Sequence, residues 1–135
     1  MALLTWDSAY SVGVRSMDSQ HTTLFDMLND LHAAMMKGQA KGVTGQLLQK
    51  LLEYTQQHFS AEEAMMAATK YPGLGRHHEL HAALTRQVKE FADRYERGES
   101  TLNVHLLNFL RDWLTNHIQK EDREYGPWLN QHGRN

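Results

Sequence analysis

The chain has 135 residues, no cysteine and a formal net charge of −2 at pH 7. That length suits one domain with one core, and the missing cysteines exclude disulfides, thiolate zinc sites and cysteine-ligated iron–sulfur clusters. Charges of both signs are interspersed without a basic stripe, so no nucleic-acid partner is expected. The chain has no apolar run long enough to cross a bilayer and no signal-peptide pattern, which predicts a cytoplasmic protein without membrane insertion.

The beginning of the chain shows no helical period, and we expect an extended N-terminal arm over 1–17. Trp6 and either Val12 or Val14 are the apolar side chains that would anchor this arm to the body of the protein. Ser16 or Asp18 can then cap the first helix.

Apolar residues at helical spacing predict four amphipathic helices, over about 18–37, 41–69, 76–97 and 101–126. Gly38, a turn at 71–75 and Gly98 separate them, and the last helix should end before Pro127. Short connections and the absence of a strand pattern predict an all-α fold. We expect an up-down-up-down antiparallel four-helix bundle, forming a single domain over 1–135.

A histidine and a carboxylate continue the apolar face of the second predicted helix. His58 and Glu62 are four residues apart and therefore stand one turn above each other. Burying such groups is costly unless they have partners, and a metal ion would satisfy both. Taken alone, the pattern also fits a His–Glu pair on a partly wet face.

The other three predicted helices carry inward histidines as well. His77 and His81 form a second pair four residues apart, a spacing that lets two imidazoles hold one metal ion from a single helix. His21 and His117 extend the apolar faces of the first and fourth helices. One inward histidine is usually a satisfied core residue, but convergence from four helices predicts a metal site in the bundle core.

The types of ligand narrow the choice of metal. Imidazole and carboxylate suit iron, manganese or zinc. Five histidines exceed the needs of one tetrahedral zinc, and carboxylates that can bridge indicate two metal ions. The sequence contains no Glu-x-x-His, the motif of the carboxylate-rich di-iron proteins, which favours a histidine-rich pair of irons.

Spacing leaves the second bridging carboxylate open between Glu121 and Asp122. On an ideal helix Glu121 stands near His117, whereas Asp122 is rotated away by about 140°. A π-bulge between 117 and 122 would reverse this preference, and such bulges concentrate at functional sites.

As a set, these motifs resemble the hemerythrin family, specifically its single-domain bacterial members. The resemblance covers nearly the whole chain and rests on Trp6, Gly13-Val14, Asp18-x-Gln20-His21-x-x-Leu24-Phe25, His58-Phe59-x-x-Glu62-Glu63-x-x-Met66, Tyr71-Pro72, His77-x-x-x-His81 and Trp113-Leu114-x-x-His117-Ile118-x-x-x-Asp122-x-x-Tyr125. Each motif is weak evidence alone, but together they are specific. No ligand position departs from the family's pattern.

The resemblance implies how the ligands are divided between two iron ions (Fe2+/Fe3+) that share an oxo or hydroxo bridge. The division is His77, His81 and His117 on one iron, His21 and His58 on the other, and Glu62 and Asp122 bridging both. It therefore prefers Asp122 to Glu121 and predicts a local distortion of the fourth helix. Glu63, next to Glu62, is expected at the surface or behind a ligand, and His78, next to His77, is expected to point elsewhere.

The resemblance further implies an oxygen-binding protein that is not an enzyme. Dioxygen would bind end-on as hydroperoxide at the five-coordinate iron, the one with two histidines, and would leave intact. Five apolar residues beside the ligands are expected to line this pocket: Leu24, Phe59, Trp113, Leu114 and Ile118. Tyr54 and Tyr125 are candidates for hydrogen bonds to the ligands.

Storage, transport or delivery of dioxygen is the leading hypothesis, with an oxygen-consuming enzyme as a recipient and the protein as a monomer. A dioxygen or redox sensor is one alternative. An oxidase- or peroxidase-type di-iron enzyme is another, and it is disfavoured because the sequence shows no acid–base group or substrate cleft beside the metals. Weak oxidase or peroxidase side activity is compatible with a carrier.

Overall fold

The computed structural model describes residues 3–38, 41–98 and 104–135. The long helices are α1 (Arg15–Met36), α2 (Lys41–Ala68), α3 (Leu74–Glu96) and α4 (Val104–His117). A π-helical segment (Ile118–Asp122) and a short helix, α5 (Arg123–Gln131), continue α4 without a break. The described residues contain no strand, and the predicted four-helix bundle is confirmed. The predicted start of the fourth helix at 101 lies outside the described residues.

Helices that follow one another in the chain pack side by side, α1 against α2 and α2 against α3, while α4 also contacts α1. Their apolar faces meet in one core. Gly38 and Gly98 end α1 and α3 with φ of +67° and +75°, the left-handed conformation that glycine adopts without strain. Short links between packed neighbours make the helices antiparallel. Within the described ranges, no helix has the length and apolar character required to cross a membrane.

The predicted end of the fourth helix before Pro127 is wrong, because α5 runs through this proline to Gln131. A proline inside a helix removes one backbone hydrogen bond and crowds the preceding turn. Tyr125 and Leu129 flank it and are both fully buried. Burial of two large side chains contributes about 1.5–3 kcal/mol each, enough to offset the cost of the proline.

The N-terminal arm lies on the bundle as predicted, but it is shorter. α1 begins at Arg15, three residues before the predicted start, and its N-cap residue is Val14, so neither proposed residue caps the helix. Asp18 instead holds the arm: its carboxylate accepts hydrogen bonds from the Val12 amide at 2.9 Å and the Ser11 hydroxyl at 2.6 Å. Val12 and Val14 are both buried.

A second set of contacts joins the arm to α5, the C-terminal helix. The arm contains a short 3-10 helix (Ser8–Tyr10), and the Arg123 guanidinium donates a hydrogen bond to the carbonyl of Ala9. Gly126 lies so close to the carbonyl oxygen of Val12 that a Cβ at this position would overlap it. The arm therefore packs directly against the segment that follows the π helix.

Candidate metal centre

The bundle has four helical rods: α1, α2, α3, and α4 together with the π-helical segment and α5 that continue it. Each rod contributes at least one buried polar side chain to one point in the core. The spacing of four residues keeps His58 and Glu62 on one face of α2, and His77 and His81 on one face of α3. The buried set, with exposures between 0 and 6 %, is His21, His58, Glu62, His77, His81, His117 and Asp122.

The π-helical segment determines which acidic residue of the fourth rod faces this point. Its backbone bonds run from residue i to i+5, as between the Ile118 carbonyl and the Arg123 amide. Residues five apart therefore lie above each other, which brings Asp122 under His117 and buries it. Glu121 turns outward and accepts a hydrogen bond from Arg76 at 3.0 Å. The predicted distortion of the fourth helix is confirmed.

The buried residues form two overlapping groups that could each hold a metal ion. In each group, one ligand atom per residue lies within 4.8 Å of all the others. The first group is Glu62, His77, His81, His117 and Asp122; the second is His21, His58, Glu62 and Asp122. The two carboxylates thus belong to both groups, while every histidine belongs to one.

Distances show how closely the first group is drawn together. Asp122 Oδ1 lies 2.8 Å from His77 Nε2 and 3.0 Å from His117 Nε2. The Nε2 atom of His117 is also only 3.1 Å from that of His81 and 3.2 Å from that of His77. The Nε2 atoms of the three imidazoles therefore converge on one point between the rings.

In the second group, the ring nitrogens of two histidines meet the shared carboxylates. His21 Nε2 is 3.1 Å from Glu62 Oε2 and 3.1 Å from Asp122 Oδ2. His58 Nε2 lies 3.3 Å from the same Glu62 oxygen.

Unsatisfied atoms indicate that this arrangement fits cations and not a closed hydrogen-bond network. Glu62 Oε1 and Asp122 Oδ1 are buried and have no hydrogen bond of acceptable geometry, although imidazole nitrogens are close to both. Buried carboxylate oxygens are costly to leave unpaired. Neutral imidazole and ionised carboxylate are the donors that iron, manganese and zinc accept, so the residues fit a pair of such ions.

The pKa values of the cluster residues lead to the same conclusion. Burial lowers the pKa of His21, but its contacts with Asp122 and Glu62 outweigh burial and raise the pKa to about 9. Burial raises the pKa of Glu62, yet His58 and His21 bring it well below its ordinary value. The cluster thus stabilises positive charge at its centre. Protons on the histidines supply that charge when no metal ion is bound.

Two outer side chains, Gln20 and Glu63, orient histidines of the cluster. The Nδ1 atom of His58 donates a hydrogen bond to Gln20 at 2.6 Å, and the Nδ1 atom of His81 donates one to Glu63 at 2.9 Å. With Nδ1 engaged in this way, Nε2 of each ring is left for the centre.

The hydroxyl of Tyr125, predicted as one of two candidate donors to the ligands, donates to Glu62 Oε2 at 2.5 Å. The other candidate, Tyr54, packs against the hydrophobic core. Gln20 has no role assigned from the sequence, where it occurs only as part of the motif that carries the family resemblance.

An apolar cavity adjoins the cluster on one side. Four of the five residues predicted to line a pocket do line this cavity: Leu24, Phe59, Trp113 and Leu114. The fifth, Ile118, is fully buried but does not line it. Phe59 stacks on His81 with ring centroids 3.7 Å apart, and Trp113 stacks on His117 at 4.4 Å. Aromatic rings thus form the boundary between cavity and cluster.

Fold and site together define a four-helix protein with a histidine- and carboxylate-lined metal-binding centre in its core. The model of the hemerythrin HHE cation-binding domain matches residues 12–129. The chain is 37 % identical to a bacteriohemerythrin of Methylococcus capsulatus, with 96 % of this chain and 98 % of the relative covered. A bacteriohemerythrin of Stenotrophomonas maltophilia is 33 % identical, with 98 % and 85 % covered.

A solved structure of a wild-type hemerythrin superposes with a TM-score of 0.91 at 36 % identity, covering 95 % of this chain and 98 % of that one. The chain belongs to the hemerythrin family.

Proposed function

We propose that this protein binds dioxygen reversibly at a non-haem di-iron centre, for storage, transport or delivery of the gas. Five imidazoles and two carboxylates would hold the irons. Iron is the metal of choice for this donor set when a redox reaction with a small molecule is required, since zinc has no accessible second oxidation state. The bundle core supplies the buried environment in which such centres are built.

The observation that carries the proposal is the unequal division of histidines between the two groups. With Glu62 and Asp122 counted in both, the first group offers five ligands and the second four. The metal in the second group would therefore have one protein ligand fewer, and an open coordination position is where a small molecule binds. That metal is the one held by His21 and His58.

The residues of the chain would have distinct duties in this function. Glu62 and Asp122 would tie the metals together, so that both respond to one bound molecule. Two ferrous ions, when bound, supply the two electrons that reversible dioxygen binding requires. Tyr125 keeps Glu62 in place through its hydroxyl, and burial together with the nearby Glu62 and Asp122 charges raises the pKa of Tyr125 well above its ordinary value. The hydroxyl thus stays protonated and remains a donor.

The cavity wall would favour a carrier over an oxidase. Ten of its twelve lining residues are apolar, and the hydroxyl of Thr55, one of the two threonines, is donated to the Leu51 carbonyl. The described lining residues include no titratable side chain, so the wall admits a small apolar gas and supplies no acid to drive the reduction of dioxygen to completion. We place the dioxygen pocket at Phe59, Trp113 and Leu114, where the cavity meets the cluster.

The test is an optical cycle on purified, iron-loaded protein. The protein is reduced without oxygen, exposed to air and then sparged with argon while its visible spectrum is recorded. A charge-transfer band that appears in air and disappears under argon over repeated cycles is the expected result. Irreversible conversion to a ferric spectrum on the first exposure would contradict a carrier and favour the oxidase or sensor alternatives.

A further inference from the structure

The ligands of the centre are almost fully buried, so a metal ion cannot reach them directly from solvent. A buried metal site needs an entry path. We propose that His78 and Glu63 form an entry site that captures a divalent metal ion at the surface and passes it to His81. The proposal rests on the proposed function only in taking the buried cluster to be a metal centre.

The geometry of this pair is that of a preassembled surface site. His78 Nδ1 donates a hydrogen bond to Glu63 Oε1 at 2.5 Å, and the side chains are 63 % and 22 % exposed. Imidazole and carboxylate are donors for the same divalent ions as the buried cluster. An ion that binds here takes the place of the shared proton on Nδ1, and the neutral ring then carries its proton on Nε2.

The same carboxylate connects the surface to the centre. The second oxygen of Glu63 accepts a hydrogen bond from Nδ1 of His81, whose side chain is only 2 % exposed. The other nitrogen of that ring, Nε2, lies 3.3 Å from Glu62 and 3.1 Å from His117. His78, Glu63 and His81 therefore form a continuous series of metal donors from solvent to the buried cluster.

The surroundings support entry at this point. The pair lies in a surface depression whose lining includes Gln56, Ser60 and Thr85, three side chains with oxygen atoms that can assist a hydrated ion; Arg86 is the cation in the same lining.

Two other contacts near the cluster are less suited to a cation. Glu121, beside Asp122, already forms an ion pair with the Arg76 guanidinium at 3.0 Å, so a metal ion would have to displace that cation. Gln20, behind His58, is an uncharged amide and a weaker ligand.

The experiment measures the rate of metal uptake. Chelator-stripped protein is mixed with Co2+, whose absorption reports the buried ligands, and the rise of the cobalt bands is followed by stopped flow. We expect His78→Ala to slow uptake by about 10-fold, the lower end of the effect that loss of a supporting partner has on metal sites. Final cobalt content and the final spectrum should equal those of the unmodified protein.

Two further variants separate entry from structural effects. His105→Ala removes another exposed histidine, on α4, and should load at the unmodified rate. His78→Gln keeps a polar side chain of similar size but removes the imidazole, and should be as slow as His78→Ala. Uptake by His78→Ala at the unmodified rate would overturn the proposal. So would equal slowing in His105→Ala.

The outcome is independent of oxygen chemistry. Slow uptake by His78→Ala supports the entry site even if the iron-loaded protein fails to release dioxygen. Reversible oxygenation with unchanged uptake by His78→Ala would preserve the proposed function and refute the entry site.

Discussion

The hydrogen bond between Tyr125 and Glu62 offers a quantitative test of how the cluster is held. Tyr125→Phe removes only the hydroxyl that donates to Glu62 Oε2 at 2.5 Å and leaves a fully buried ring in place. A hydrogen bond to a charged group contributes about 1.5–3 kcal/mol. The same oxygen keeps His21 and His58 within 3.1 and 3.3 Å, so we expect a loss near the lower value.

The assay is denaturant unfolding of metal-loaded and metal-free protein, with metal retention against a chelator measured in parallel. Tyr95→Phe is the matched control, because its hydroxyl lies 2.5 Å from that of Thr44 in another buried pair, and neither residue belongs to the two metal-binding groups. It should cost about 0.5–1.5 kcal/mol and leave metal retention unchanged. Equal costs for the two variants together with equal metal retention would refute the role given to Tyr125.

Four further predictions concern the ligands and the pocket. Asp122→Asn should lower metal affinity by at least about 10- to 100-fold whereas Glu121→Gln should not, and equal metal content in the two variants would contradict the role of the π segment. Leu114→Ala should admit water to the cavity and speed autoxidation of the oxygenated form, and an unchanged decay of its absorbance would remove Leu114 from the wall. Metal-free protein should release at least about one proton per chain on binding Zn2+ at pH 7, because the raised pKa of His21, about 9, keeps it protonated until metal displaces the proton. The raised pKa of His21 also makes the stability of the metal-free protein depend on pH. Because this pKa lies above the ordinary value of 6.5, the contribution of His21 is complete below pH 6.5 and is lost as pH rises through about 9. Melting curves of the metal-free protein across that range would check this.

Helical spacing predicted most of the site because the relevant distances are set by a single regular element. His58 with Glu62, and His77 with His81, are one turn apart in any α-helix, so their shared faces follow from sequence alone. The inward direction of those faces followed from the neighbouring leucines. The bundle then had only one core in which the faces could meet.

Spacing failed where the backbone departs from the regular helix or where contacts cross between helices. Ideal geometry favoured Glu121 over Asp122, and only the family resemblance predicted the π segment that reverses the choice. Proline chemistry predicts a helix end at Pro127, but the helix continues because its neighbours Tyr125 and Leu129 are buried, and that burial depends on tertiary packing. The hydrogen bond that His58 donates to Gln20 joins residues 38 positions apart, so no local sequence pattern predicts it.

The proposed binding and release of intact dioxygen is tested most directly by isotope recovery. Reduced, iron-loaded protein is equilibrated with 18O2, freed of excess gas and then purged into a mass spectrometer. Reversible binding predicts uptake of about one 18O2 for each pair of irons and its return as 18O2, since the proposed open position belongs to one member of the pair. Recovery of the label as water, or retention of the label with no gas returned, would contradict it.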